Sequence, residues 1–155
     1  MDNLRSAIVL LVEDDPGDQK LIKTSLQQQR IANHVHIVEN GEDALTYLMA
    51  SKNGDPACPL PDIILLDLNM PGMGGKAFLR HIKADDVLTR IPVVILTTSD
   101  SEEDILESYQ LNAAGYVKKP VSLDSFQKSL SKLEDYWFVL CKTVRQEAPV
   151  CQHGS

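Results

Sequence analysis

Glu13, Asp14 and Asp15 follow directly on the apolar run Ala7 to Val12, and Asp67 closes a second run, Ile63 to Leu66, before Asn69–Met70–Pro71–Gly72 turns the chain. Thr97 and Lys119 stand at the ends of two further short apolar stretches. Carboxylates brought together repel: a pair about 5 Å apart at an effective dielectric of about 20 is unfavourable by about 3 kcal/mol. Such a cluster either raises a pKa or holds a cation. No His or Cys lies nearby in sequence, so a hard, oxygen-seeking ion, Mg²⁺, is the expected occupant. With that ion offsetting the repulsion between anions, a carboxylate can act as nucleophile towards a phosphoryl group. Lys119 would neutralise the phosphoryl oxygens, and the Thr97 hydroxyl would bond to a newly arrived phosphate. Singly, an Asp at a strand end is usually a helix cap and a Lys is usually solvated. Their recurrence at successive strand ends argues for a site.

The elements that must position these residues are legible as alternating strands and helices. Ala7 to Val12 reads as a buried strand. A helix follows, capped by Asp15 or Asp18 with Pro16 in its first turn, an inward face of Leu21, Ile22, Ser25 and Leu26, and polar Gln27 to Arg30 at its close. Val35 to Val38 is a second strand, and Asn40–Gly41–Glu42 opens a helix with Ala44, Leu45, Leu48 and Met49 at helical spacing. Gly54, Pro56, Pro59 and Pro61 make Ser51 to Pro61 a loop. After the strand that ends at Asp67, a helix is expected over Gly74 to Ala84 with Phe78, Leu79 and Ile82 inward, then a strand over Pro92 to Leu96. Ser101 to Asp104 form an acidic first helical turn, Ala114 to Lys118 a fifth strand, and Leu123, Phe126, Leu130, Leu133, Trp137, Leu140 and Val144 one long apolar helical stripe.

Regular strand–helix alternation implies α/β architecture: a doubly wound parallel sheet, flavodoxin-like, with strand order 2-1-3-4-5 and an extended C-terminal helix. In that order the first and third strands are neighbours at the switch point, which sets Glu13, Asp14 and Asp67 side by side. One domain is expected over residues 6–145, with residues 146–155 a disordered tail.

A formal net charge of −7 and a pI near 5.0 exclude the basic footprint of a nucleic-acid binder. Cys58, Cys141 and Cys151 are odd in number and follow no zinc-ligand spacing, so reduced thiols are expected. Met1 to Arg5 carry no apolar signal-peptide core, and no apolar run reaches membrane-spanning length; the expectation is a soluble, cytoplasmic protein.

Val12–Glu13–Asp14–Asp15, Leu66–Asp67–Leu68–Asn69–Met70–Pro71–Gly72, Leu96–Thr97–Thr98 and Gly115–Tyr116–Val117–Lys118–Lys119–Pro120 together resemble the receiver domain of bacterial two-component response regulators. The likeness runs from Ile8 to about Leu133. It implies that Asp67 is the phospho-acceptor, Asp14 a direct Mg²⁺ ligand, Glu13 a ligand through water and Asn69 a ligand through its backbone carbonyl. It further implies that Thr97 and Tyr116 form the switch pair, and that a cis Lys119–Pro120 bond aims the lysine into the crevice. Many relatives have Asp where Glu13 stands.

The proline-rich loop, Leu96–Thr97–Thr98–Ser99 and Glu134–Asp135–Tyr136–Trp137 resemble, more narrowly, stand-alone receivers paired with phytochrome-type histidine kinases. A sensor histidine kinase, a bacteriophytochrome in the narrower reading, is the implied partner. Homodimerisation is also implied, and Tyr136, Trp137, Phe138, Val139 and Leu140 are apolar around more of the helix than one core-facing stripe needs. No output domain is seen after the last helix, so action by contact is expected. Three readings compete. A flavodoxin-like cofactor binder would set Glu13–Asp14–Asp15 against a phosphate. An aspartyl-phosphate hydrolase of the haloacid dehalogenase type needs a second Asp where Asn69 stands. A degenerate receiver would lack some of the residues that are all present here.

Overall fold

The computed structural model describes residues 7–27, 33–68, 74–97 and 115–118. Within them the elements run β1 (Ala7–Val12), α1 (Pro16–Gln27), β2 (Asn33–Val38), α2 (Gly41–Lys52), β3 (Ile63–Asp67), α3 (Gly74–Lys83), a 3₁₀ turn (Leu88–Arg90), β4 (Val93–Thr97) and β5 (Gly115–Lys118). The five strands form one sheet in the order β2-β1-β3-β4-β5, and every pairing is parallel. This is the expected doubly wound topology. The two helices anticipated around the fifth strand, the C-terminal tail and the outer bounds of the domain lie outside the described residues.

Continuous apolar strands are what a sheet covered on both faces requires, and successive residues divide between two cores. Leu10, Val12, Ile64, Leu66 and Ile95 pack with Ala44, Leu48, Phe78, Leu79 and Ile82 of α2 and α3. Val9, Leu11, Ile63, Leu65 and Val94 pack on the other face with Ile22 and Leu26 of α1. The strand ends are therefore held between two hydrophobic layers, which fixes where their polar residues emerge.

Most boundaries fall within one or two residues of expectation, and the differences have physical causes. Pro92 lies just outside β4, since it has no N–H for the ladder, but its carbonyl accepts from Ile64 N–H at 3.0 Å. α2 is rotated from the expected face: Met49 is 46 % exposed, and Tyr47 is buried instead. Tyr47 can enter the core because its hydroxyl donates to the Pro59 carbonyl at 2.7 Å, and burial, with Cys58 nearby, pushes its pKa up to about 12. Ser51 belongs to α2 and donates to the Cys58 carbonyl at 2.7 Å, so the proline-rich loop is fastened to the helix before it. The 3₁₀ turn was not anticipated; Asp85 nucleates it by accepting from the N–H groups of Val87 and Leu88 at 2.8 and 3.0 Å.

Candidate metal and phosphoryl site

The parallel register decides which side chains meet. Val12 pairs with Leu66, so Glu13 and Asp67, each one residue further on, leave adjacent strands at the same level. Asp67 pairs with Leu96, which places Thr97 one step beyond it on β4, and Thr97 pairs with Lys118, the residue before Lys119. Tyr116 pairs with Ile95 in the interior of that ladder. For Thr97 and Tyr116 only the backbone position is described. Asn69, Lys119, the Lys119–Pro120 bond and the helix bearing Tyr136, Trp137, Phe138 and Leu140 lie outside the described residues.

The three carboxylates expected side by side do converge. One carboxylate oxygen from each of Glu13, Asp14 and Asp67 can be chosen so that all lie within 4.8 Å of one another. Glu13 is 0 % exposed and Asp67 2 %, whereas Asp14 is half-buried at the rim. Two carboxylates thus sit in surroundings where like charge is costly, and the third is partly exposed to solvent. Every donor in the group is a carboxylate oxygen, with no imidazole or thiolate among them, so the set suits a hard divalent cation.

Asp15 is not a member of the group. Its carboxylate accepts from the Asp18 N–H at 2.8 Å and so caps α1, with Pro16 as the first helical residue. The same residue's N–H donates to Glu13 Oε2 at 3.1 Å, tying the buried carboxylate to the turn that carries it. The Glu13 peptide is itself anchored on both sides, its N–H to Val38 O at 3.0 Å and its carbonyl to Gln19 Nε2 at 2.6 Å.

On the β3 side the support is Gly75. A Cβ at this position would meet the Leu68 Cα at 2.7 Å and the Asp67 carbonyl oxygen at 2.8 Å, closer than real side chains come. The start of α3 therefore lies directly on the backbone of Asp67–Leu68. Sequence reasoning passed over both Gly75 and Gln19. The Gly74–Gly75 pair at a helix start was a usable sign of close approach, whereas a polar residue one turn into a helix carries no such mark.

A parallel sheet in this order, with three carboxylates at the ends of the adjacent strands β1 and β3, is the architecture of a phosphorylation-dependent receiver. Residues 9–131 match the model of the response regulator receiver domain, and the chain belongs to that family. It is 36 % identical over 130 residues to response regulator Rcp1 of Synechocystis sp., covering 84 % of this chain and 88 % of the relative. The Mn²⁺-bound crystal structure of Rcp1 superposes with a TM-score of 0.75 at 36 % identity, covering 84 % of this chain and 94 % of that one. The phosphorylated cyanobacterial phytochrome response regulator RcpA superposes with a TM-score of 0.78 at 36 % identity, covering 86 % and 95 %. Receiver domains of this kind bind a divalent metal and work with a histidine kinase. Membership decides the fold-level alternatives in favour of the receiver over the haloacid dehalogenase type. No helix among the described residues is long and apolar enough to cross a membrane.

Proposed function

We propose that this chain is a phosphorylation-switched response regulator in which Asp67 accepts a phosphoryl group from a histidine kinase, Mg²⁺ being bound by Asp14, Asp67, the Asn69 carbonyl and, through water, Glu13. The observation that carries this reading is the convergence of Glu13, Asp14 and Asp67 within 4.8 Å, with Asp67 buried at the mouth of β3. When bound, Mg²⁺ offsets the charge of the carboxylates and of the incoming phosphoryl oxygens.

The chain's own residues then do the following. An Asp67 Oδ atom bonds to phosphorus as the P–N bond to the donor histidine breaks, and the departing imidazole keeps the electron pair and takes up a proton. Lys119 neutralises phosphoryl oxygen charge. The Thr97 hydroxyl donates to a phosphoryl oxygen, and Tyr116 turns inward behind it, so that surface contacts change with phosphorylation. The chain thus promotes its own phosphotransfer and dephosphorylation without turning over a separate substrate.

The likeness to RcpA, a phytochrome response regulator, supports a bacteriophytochrome as the kinase. A homodimer through Tyr136, Trp137, Phe138 and Leu140, working in the cytoplasm, completes the reading. Incubation with Mg²⁺ and acetyl phosphate is expected to add one phosphoryl group to the intact mass of the wild type and none to Asp67→Asn. An unchanged wild-type mass sinks the proposal.

A further inference from the structure

The geometry points to Gln19 as a positioning residue for the metal site, holding the acidic turn in its binding geometry before any ion arrives. This inference rests on the assignment of Glu13, Asp14 and Asp67 to the ion. Gln19 grips the turn at two places: its backbone N–H donates to Asp15 O at 2.9 Å, and its side-chain Nε2 donates to Glu13 O at 2.6 Å. The first bond is ordinary helix geometry. The second is not, because it reaches six residues back, past the helix start, to the peptide that leads from Glu13 into Asp14.

That peptide is where the turn needs restraint. Glu13, Asp14 and Asp15 are consecutive acids, and two of them face Asp67 within 4.8 Å. Without a counter-ion their repulsion pushes the turn away from β3. The Glu13 N–H is fastened to Val38 O at 3.0 Å, which fixes the strand side of the residue. Gln19 fixes the far side. A neutral amide is suited to this, since it donates a hydrogen bond without adding a charge that would compete with the ion.

The consequence is preorganisation. With the brace, the metal-free turn already has the geometry that the ion requires; without it, the turn relaxes outward and must be drawn back when the ion binds. The lost bond should therefore register in metal affinity more than in the stability of the metal-free fold. It should also raise the Mg²⁺ needed for half-maximal labelling by acetyl phosphate, leaving the labelling rate at saturating Mg²⁺ unchanged.

Gln19→Met keeps length and bulk while deleting the donor, and Gln19→Leu serves the same purpose should the first variant not fold. Titration with Mg²⁺ alone, followed by calorimetry or by intrinsic fluorescence, is expected to show a dissociation constant raised about three- to tenfold, the effect of losing one neutral hydrogen bond. The metal-free Tm should stay close to that of the wild type. A variant that binds Mg²⁺ as tightly as the wild type overturns the inference, and does so most plainly if its metal-free Tm has fallen, since Gln19 would then merely support the fold. Failure of the wild type itself to bind Mg²⁺ overturns the metal assignment, and this inference with it.

Discussion

A Cβ on Gly75 would come within 2.8 Å of the Asp67 carbonyl oxygen. The helix after β3 thus rests on the peptide of Asp67, and a methyl group can enter only if α3 or the strand end gives way. The two nearest contacts are backbone atoms of Asp67 and Leu68, so moving the Leu68 side chain, whose Cδ2 would lie at 3.0 Å, does not relieve them. Gly75→Ala is expected to lower stability by about 1–3 kcal/mol, the usual range for overpacking, and to slow acetyl-phosphate labelling of Asp67. Chemical denaturation and the labelling rate check the two effects; an unperturbed variant contradicts the packing described.

Asp14 contributes to the same repulsion that the ion offsets. In the metal-free protein Asp14→Asn should raise stability by about 1 kcal/mol, less than the about 3 kcal/mol of an unscreened pair because Asp14 is partly exposed. Adding Mg²⁺ should raise the wild-type Tm by mass action and leave that of the variant nearly unchanged. Thermal scans with and without Mg²⁺ read both outcomes. Equal Mg²⁺ responses contradict the assignment of Asp14 as a ligand.

Acid should loosen the link between α2 and the 3₁₀ turn. The Lys52 ammonium, 2.6 Å from Asp85 Oδ2, holds the Asp85 carboxyl down to about 2, and the N–H groups of Leu88 and Val87 act in the same direction. Its folded value lies below the ordinary 3.8, so the stabilisation is complete above about pH 4 and is lost as pH falls through about 2. The stability difference between wild type and Asp85→Asn is expected to be constant from pH 7 to about pH 4 and to shrink towards pH 2. A difference that persists at pH 2 contradicts the ion-pair origin.

For the proposed dimer, light scattering of Trp137→Ala beside the wild type is decisive. The variant is expected to have half the wild-type mass. An unchanged mass removes this residue from the interface.

Strand–helix alternation and strand order could be read from the sequence because continuous apolar runs leave little choice of environment: Ile63 to Leu66 can only be covered on both faces. The carboxylate triad was equally open, since parallel register brings the residue after Val12 level with the residue after Leu66. What escaped were features set by single contacts. Tyr47 takes the inward place expected of Met49 because Pro59, twelve residues on, offers its hydroxyl an acceptor. Asp85 reads as an ordinary surface acid until its carboxylate is seen to collect two N–H groups and an ammonium. Gln19 acts through the backbone carbonyl of Glu13 in the turn before its helix, which no local pattern encodes, and for the approach of Gly75 to Asp67 and Leu68 only the Gly74–Gly75 pair gave a sign.

The central claim is that Asp67 itself carries the phosphoryl group, and chemical mapping tests it most directly. Borohydride reduction converts an aspartyl phosphate to homoserine, so peptide sequencing by mass spectrometry after labelling with Mg²⁺ and acetyl phosphate reports the acceptor. Homoserine at position 67, absent when Mg²⁺ is withheld, is the predicted result. Homoserine at position 14, or no homoserine in a protein that binds Mg²⁺, contradicts it.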